Sequence, residues 1–147
     1  MSHYFDQDME TASLDALRAL QGKRLRDIVS YAAGRNALVR ERMRTHGVAP
    51  EDIRTVEDIV KLPTMSKELL RETYPMGLLC VPPTELYEMH MSSGSTGTPI
   101  VMPYTHGDLN QWAECMARCL AMAGAHAGEP IQITPSFGLF NGGFGFS

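Results

Sequence analysis

Cysteine, lysine and long apolar runs are all scarce in this chain. The three cysteines, Cys80, Cys115 and Cys119, are an odd number and include no C-x-x-C pair. The sequence therefore predicts no disulfide framework, and a reducing cytoplasm fits it best. Cys115 and Cys119 lie four positions apart without further Cys or His at ligand spacing, which favours packing within a helix over a metal site.

Membrane and export signals are also missing from the sequence. Charged residues or proline interrupt each apolar stretch within about ten residues, far short of a bilayer span. The N-terminus carries Asp6 where a signal peptide would carry a basic residue. We therefore expect neither a membrane segment nor an export signal.

The composition is that of an ordinary globular domain with a mild negative charge. The 147 residues include 44% apolar and 20% charged residues, and 13 basic against 17 acidic residues give a net charge of -4. A chain of this length buries roughly two-thirds of the surface that its unfolded form exposes. The composition argues against disorder, and the charge argues against a surface that binds nucleic acid.

The first part of the chain predicts helices. Residues 13–33 have apolar side chains at helical spacing, with Ser13 as N-cap and a loosened turn at Gly22. Further helical segments are predicted at 36–46, 50–53, 55–59 and 67–73. The three arginines between residues 40 and 44 are either a solvated face or a contact for an anionic partner. We interpret residues 1–81 as a helical N-terminal segment.

After Pro82-Pro83 the pattern changes to strands alternating with a helix. We predict strands at 86–91, 100–104 and 131–134, and a helix from Thr105 to about Ala123. The last residues, 135–147, combine four phenylalanines with four glycines, and such aromatics exposed at a terminus would form an apolar patch. The expected fold class is α/β, with residues 82–147 as the start of a larger subdomain that is truncated at residue 147.

The segment SSGSTGTP, from Ser92 to Pro99, joins the first two predicted strands. Glycines allow the backbone to approach a ligand, and small hydroxyl residues add donors, so such a loop can surround phosphate oxygens. A Walker loop is excluded because no lysine follows Lys67 and because a strand follows the loop. The alternative is a plain hairpin turn, but hairpin turns usually need only about two to five residues. The length therefore favours a ligand-binding loop.

This loop resembles the phosphate loop of the adenylate-forming ligase superfamily, which runs Ser/Thr-Ser/Gly-Gly-Thr/Ser-Thr-Gly-x-Pro between two strands. The resemblance is greatest to the phenylacetate-CoA ligase family. It is carried by residues 24–33, 47–79, 90–118 and 138–145, the last reading GLFNGGFG. The resemblance implies that the chain supplies the helical preface, and the first strands and helix of the large N-terminal domain, of such an enzyme.

The resemblance implies a two-step reaction that uses ATP, Mg2+ and coenzyme A. A carboxylate attacks the α-phosphate of ATP to give an acyl adenylate, and coenzyme A then displaces AMP to give a thioester. The phosphate-binding residues implied are Ser92, Ser93, Gly94, Ser95, Thr96, Gly97 and Thr98. Thr96 is the implied catalytic residue, because family members use this position to place Mg2+ and phosphate. No protein metal ligand is assigned.

The resemblance also implies a small aromatic carboxylic acid as substrate. Phe137, Gly138 and Phe140 would border the acid pocket, although core aromatics are an equal alternative for the phenylalanines. A homodimer is expected because family members commonly dimerise. His90 would lie near the nucleotide, either as a hydrogen-bonded structural residue or as a catalytic one.

Three positions depart from the family pattern. Thr98 stands where lysine is common, and Phe137 and Asn141 stand where tyrosine and threonine are common. The identity of the acid is therefore open. The later nucleotide-binding motifs and the C-terminal lysine have no counterparts here, so the chain would not complete the reaction alone. Two other functions stay open: an enzyme that adenylates another acceptor, like the deazaflavin-adenylating synthetases, and a truncated binding or assembly module.

Overall fold

The computed structural model describes residues 4–92, 97–134, 137–138 and 141–145. These residues divide into two compact units. Residues 12–82 form one, called the helical unit, and the described residues before and after this range form the other, called the hairpin unit. The predicted division into residues 1–81 and 82–147 concerns the domains of a complete protein and stays a prediction.

Helices dominate both units. In chain order the α-helices and strands are α1 (Gln7–Glu10), α2 (Leu14–Arg35), α3 (Ala37–Thr45), α4 (Lys67–Glu72), β1 (Glu88–Met91), β2 (Val101–Tyr104), α5 (His106–Met122) and α6 (Asn141–Phe144). Short 3-10 helices cover Pro50–Asp52, Val56–Lys61 and Pro83–Glu85. Among the described residues, no helix is long and apolar enough to cross a membrane.

Helix α2 begins at the predicted cap and continues without a break. The Ser13 hydroxyl accepts a hydrogen bond from the Ala16 amide at 3.2 Å, which satisfies one of the free donors of the first turn. The predicted loosening at Gly22 is wrong. Gly22 is buried in this continuous helix, and a Cβ there would lie in ordinary van der Waals contact with the Val56 nitrogen at 3.4 Å and the Thr55 Cα at 3.5 Å.

The core of the helical unit lies between α2, α3 and the chain that follows. Its buried side chains are Val29, Ala33, Met43 and Ile53, with Leu25, Val39, Val48 and Leu62 packed around them. The buried Asn36 caps α3 by accepting hydrogen bonds from the Leu38 and Val39 amides at 3.0 and 3.1 Å. Its side-chain amide also donates to the carbonyls of Gly77 and Leu79. One side chain thus connects α3 to a segment some forty residues later.

The hairpin unit is built on the antiparallel pair β1 and β2. Glu88 lies opposite Tyr104, and Met91 lies opposite Val101. Helix α5 follows β2 directly, because Thr105 and Asp108 form a capping box in which the Thr105 amide donates to the Asp108 carboxylate at 2.8 Å. The predicted order of helical preface, two strands and long helix is confirmed.

Two expectations for the hairpin unit are wrong. Residues 131–134 are not a strand, because a strand requires a paired neighbour and these residues have none in the described sheet. Cys115 and Cys119 are exposed rather than packed. The half-buried stripe of α5 consists instead of positions such as Trp112, Met116 and Leu120.

Arg118 of α5 holds the N-terminal segment within the hairpin unit. Its guanidinium lies 3.0 Å from the Asp6 carboxylate, 3.5 Å from that of Glu10 and 2.7 Å from that of Glu114. The pKa of Asp6 is lowered by the hydrogen bond from the Met9 amide and by Arg118. The contact places α1 against α5, although the two helices are far apart in the sequence.

Candidate functional site

Ser92 closes the glycine- and serine-rich loop at its base. The Ser92 amide donates to the Ile100 carbonyl at 2.9 Å, and the Ile100 amide donates to the Ser92 hydroxyl oxygen at 2.8 Å. The first bond continues the β1–β2 ladder by one position, and the second adds a side-chain acceptor at the same position. The loop is therefore held at both ends by a single residue, and the Ser92 hydroxyl still has its own proton to donate.

The described end of the loop adopts a backbone conformation that requires glycine. Gly97 has a φ of +125°, a region that side chains other than glycine rarely adopt. Thr98 is exposed and Pro99 is half-buried. The predicted phosphate-binding residues Ser93, Gly94, Ser95 and Thr96 lie outside the described residues. The roles of all seven loop positions stay predictions.

His90, two residues before the loop, is buried with only 2% of its surface exposed. Its Nε2 lies 3.0 Å from the Glu88 carboxylate on the same face of β1. A carboxylate only accepts hydrogen bonds, so Nε2 carries the proton that joins the two groups. The other ring nitrogen, Nδ1, is buried and has no hydrogen-bond partner among the residues that the structure describes.

The His90 ring belongs to an aromatic cluster formed by His90, Tyr104, Trp112, Phe137 and Phe144. The centroid of the His90 ring lies 5.3 Å from that of Tyr104, 5.7 Å from that of Trp112 and 5.9 Å from that of Phe144. Phe144 in turn meets Phe137 edge-on at 5.2 Å. These distances are typical of favourable aromatic pairs. The cluster joins β1, β2, α5 and α6.

The predicted acid-pocket residues lie at the open side of this cluster, as far as they are described. Phe137 is 55% exposed, and Gly138 is also exposed. Phe140 lies outside the described residues. The structure thus brings Phe137 to the same aromatic cluster as His90, while the pocket role of Phe137, Gly138 and Phe140 stays a prediction.

Two members of this arrangement are not predicted by the sequence. Glu88 and His90 are two apart in a strand, which places both side chains on one face, but no local signal indicates that they pair. The contact of Phe144 with His90 joins positions that are far apart in sequence and depends on where α6 packs. No group of three or more His, Cys, Asp or Glu side chains that could hold a metal is found among the described residues.

Comparison with curated proteins reveals close relatives across nearly the whole chain. The phenylacetate-coenzyme A ligase of Pseudomonas putida is 41% identical over 151 residues, which cover 99% of this chain and 34% of that protein. The Escherichia coli phenylacetate-coenzyme A ligase is 39% identical over 93% of this chain and 31% of its own length. The predicted resemblance is confirmed. The chain is homologous to phenylacetate-CoA ligases and spans about a third of their length.

No family model matches the sequence. Solved structures of CoA ligases, however, superimpose on nearly the whole chain. A 2-hydroxyisobutyryl-CoA ligase in complex with 2-HIB-AMP and CoA superimposes with a TM-score of 0.91 at 26% identity, over 99% of this chain and 32% of the ligase. An open conformation of the same ligase, also with 2-HIB-AMP and CoA, gives 0.90 at 25% identity, covering 99% and 34% of the two chains. The helices and the hairpin of this chain are thus a part of the CoA ligase fold.

Proposed function

We propose that the complete protein containing this chain is an ATP-dependent ligase that joins an aromatic carboxylic acid to coenzyme A through an acyl adenylate. The observation that carries the proposal is the 41% identity to a phenylacetate-coenzyme A ligase across 99% of the chain. That match includes the loop that Ser92 closes on the β1–β2 hairpin. Because the chain spans about a third of its relatives, the activity belongs to the longer protein.

The proposed work of the loop is to orient the phosphates of ATP. Residues 92–98 would offer backbone amides and hydroxyls to the phosphate oxygens, with Thr96 at the reacting phosphate. Such donors offset the charge that develops on the leaving pyrophosphate, which is electrostatic catalysis. Ser92 supports this by fixing the base of the loop. Bound Mg2+ would neutralise phosphate charge, and we assign no step and no described ligand to it.

The proposed acid pocket begins at Phe137. Its ring is 55% exposed and meets the ring of Phe144, which is 45% exposed, edge-on at 5.2 Å between centroids. An exposed aromatic face of this kind favours a flat aromatic acid, because ring pairs gain about 0.5–1.5 kcal/mol beyond the burial of area. We propose Phe137, Gly138 and Phe140 as the walls that contact the ring of the acid.

The test is carboxylate-dependent exchange of pyrophosphate into ATP by the complete protein. Aryl-acetic, benzoic, indole-acetic and short aliphatic acids are compared, and formation of the CoA thioester is measured separately. We expect exchange with an aryl-acetic acid and thioester formation with coenzyme A. Exchange without thioester would favour another acceptor, as in deazaflavin adenylation. No exchange with any acid, from folded protein, would favour a binding or assembly module.

Thr98→Lys tests the departure from the family pattern. Thr98 is exposed, so a lysine fits there, and a charged hydrogen bond to phosphate contributes about 1.5–3 kcal/mol. We expect the KM for ATP in the exchange reaction to fall by roughly tenfold or more. Thr84→Lys, in the exposed 3-10 helix Pro83–Glu85, adds the same charge away from the loop and controls for net charge. Equal effects of the two variants would show that the change comes from net charge and not from a contact between residue 98 and phosphate.

The proposal extends to a cytoplasmic homodimer that acts on small molecules and uses neither nucleic acid nor a membrane. Sedimentation of the complete protein over a range of concentrations measures the association state. A monomer at every concentration would overturn the dimer and leave the ligase activity untouched.

A further inference from the structure

We propose that helix α5 carries a binding site for a soft monovalent metal ion, Cu(I), on the face formed by Cys115, Cys119 and Met122, called the sulfur face. These residues lie outside the glycine- and serine-rich loop, and the inference does not depend on the proposed ligase activity. It starts from the finding that both cysteines of α5 are exposed rather than packed.

Helical geometry brings the three sulfur-bearing side chains to one face. Cys119 follows Cys115 by four residues, and Met122 follows Cys119 by three, so the three positions lie within about 60° of one another around the helix axis. Met122 is 74% exposed. Long side chains of a helix lean toward the turn before them, so the Met122 thioether extends toward Cys119. The sulfur face therefore presents two thiols and one thioether to solvent.

A disulfide does not suit the spacing of the two cysteines, but a bridging metal ion does. Residues four apart in a helix have their Cβ atoms about 5–6 Å apart, whereas a disulfide requires about 3.5–4.5 Å. Two sulfur atoms that bind one metal ion at about 2.3 Å each lie at most about 4.6 Å apart. Rotation of the two thiols toward each other reaches this separation, so one ion can bind both sulfur atoms without a change in the helix.

The ligand set selects the metal. Thiolate and thioether sulfur are soft ligands, which favour Cu(I). Structural zinc requires four ligands, mostly Cys and His, and the described residues contain no group of three or more His, Cys, Asp and Glu side chains that could hold a metal. Cu(I) accepts two thiolates, with a thioether as a third ligand. Binding replaces both thiol protons, so two protons are released and the complex carries a single negative charge.

The surroundings of the sulfur face favour a cation. Cys119 and Met122 lie in the last turn of α5, which contains no basic residue, and the carbonyl end of a helix attracts positive charge. Arg118, one position before Cys119, is paired with three carboxylates, among them that of Asp6 at 3.0 Å. The charge of Arg118 is thus balanced on the side of the N-terminal segment.

The test is competition for Cu(I) between the complete protein and bicinchoninate, a chromophoric Cu(I) chelator, without oxygen and in a buffer free of thiols. We expect the unchanged protein to withdraw about one Cu(I) per chain, and X-ray absorption at the copper edge to show sulfur ligands. Cys115→Ser and Cys119→Ser should each weaken binding by more than about tenfold, since loss of a group that merely supports a ligand already costs that much. Met122→Leu keeps the size of the side chain and should weaken binding less.

Two controls separate a bridged site from binding to any exposed thiol. The double variant Cys119→Ser/Ala113→Cys keeps two thiols on α5 but places them on opposite sides of the helix, since the exposed Ala113 is two residues from Cys115. It should bind Cu(I) as weakly as Cys119→Ser does. Cys80→Ser removes the cysteine of the helical unit and should bind as the unchanged protein does. Circular dichroism measures the helix content of each variant.

Three results would overturn the inference. Failure of Cys115 and Cys119 to react with a thiol reagent in the folded complete protein would show that the rest of the protein covers the sulfur face. Equal Cu(I) affinity of the double variant and the unchanged protein would assign the binding to separate thiols. Tighter binding of Zn2+ than of Cu(I) would refute a monovalent ion as the ligand. Pyrophosphate exchange, which tests the proposed function, is measured independently of all three.

Discussion

The two units of the molecule differ in how completely they bury their own apolar side chains. The helical unit contains all of the buried apolar side chains among the described residues, the four that form its core. In the described part of the hairpin unit the buried side chain is that of His90, and helix α5 has no buried residue. The helical unit thus has a closed core, and the hairpin unit has an open one.

The difference follows from the elements that each unit has available. Helices α2 and α3 and the chain up to Leu62 surround the core of the helical unit on several sides. Two strands and one long helix cannot cover both faces of a sheet, and side chains such as Met89, Ile131 and Phe137 stay exposed. The relatives are about three times as long, and we expect the rest of the protein to cover this surface.

Ile53→Ala should produce the largest effect and tests the closed core directly. Ile53 is 1% exposed, and removing a buried aliphatic side chain costs about 2–5 kcal/mol of unfolding free energy. Ile59→Ala, at a residue 54% exposed in the same unit, should cost less than about 1 kcal/mol. Urea unfolding followed by helical circular dichroism measures both. Equal losses would contradict a core closed around Ile53.

Gly97→Ala tests the loop of the hairpin unit, the unit that has no closed core. At a φ of +125° an alanine is strained by about 1–3 kcal/mol. We expect ATP affinity of the complete protein to fall by about tenfold while the stability of the helical unit is unchanged. Gly34→Ala in α2 meets nothing within 4 Å, so it should leave ATP binding unchanged. Unaltered ATP affinity in Gly97→Ala would exclude this loop conformation from binding.

Acidification should weaken the helical unit through Asp58. Lys61 lowers the pKa of Asp58, with help from the amides of Thr55 and Arg54, each 2.8 Å from the carboxylate. A lowered folded-state pKa means that the stabilisation is complete above the usual pKa of aspartate and is lost as pH falls through the lowered value. We expect the urea midpoint to fall less between about pH 5 and about pH 2 in Asp58→Asn. Identical pH profiles would show that this cap does not stabilise the unit.

Arg118→Ala should have the smallest effect on global stability. Its ion pairs with Asp6, Glu10 and Glu114 are partly exposed, and such pairs contribute about 0–1 kcal/mol each. Because they hold α1 on α5, we expect faster protease cleavage within residues 4–11. Arg44→Ala, which removes a pair within α3, should leave that cleavage rate unchanged. A large loss of unfolding free energy in Arg118→Ala would mean that the hairpin unit depends on this anchor.

Local signals predict the helices well because each signal acts within one turn. Ser13 is predicted as a cap from its side chain and position, and it accepts the expected amide hydrogen bond, as Ser66 and Thr105 do at the starts of α4 and α5. The predicted strand at 131–134 is wrong because a strand's hydrogen-bonding partner must come from another segment. The predicted loosening at Gly22 is wrong because α2 is continuous from Leu14 to Arg35, and the contact of Gly22 with Thr55 and Val56 leaves no signal in the residues around the glycine.

The candidate site likewise has some features that the local sequence predicts and others that depend on packing. The glycines and small hydroxyl residues from Ser92 to Pro99 predict a loop between two strands, and the resemblance of this segment to the phosphate loop of the adenylate-forming ligases indicates its relatives. The phosphate-binding role of the loop stays a prediction. The pairing of His90 with Glu88 and the contacts of His90 with Trp112 and Phe144 depend on how β1, α5 and α6 pack. Caps, turns and motifs depend on a few neighbouring residues and are therefore determined by the local sequence. The burial of His90 depends instead on the packing of segments that are distant in the sequence.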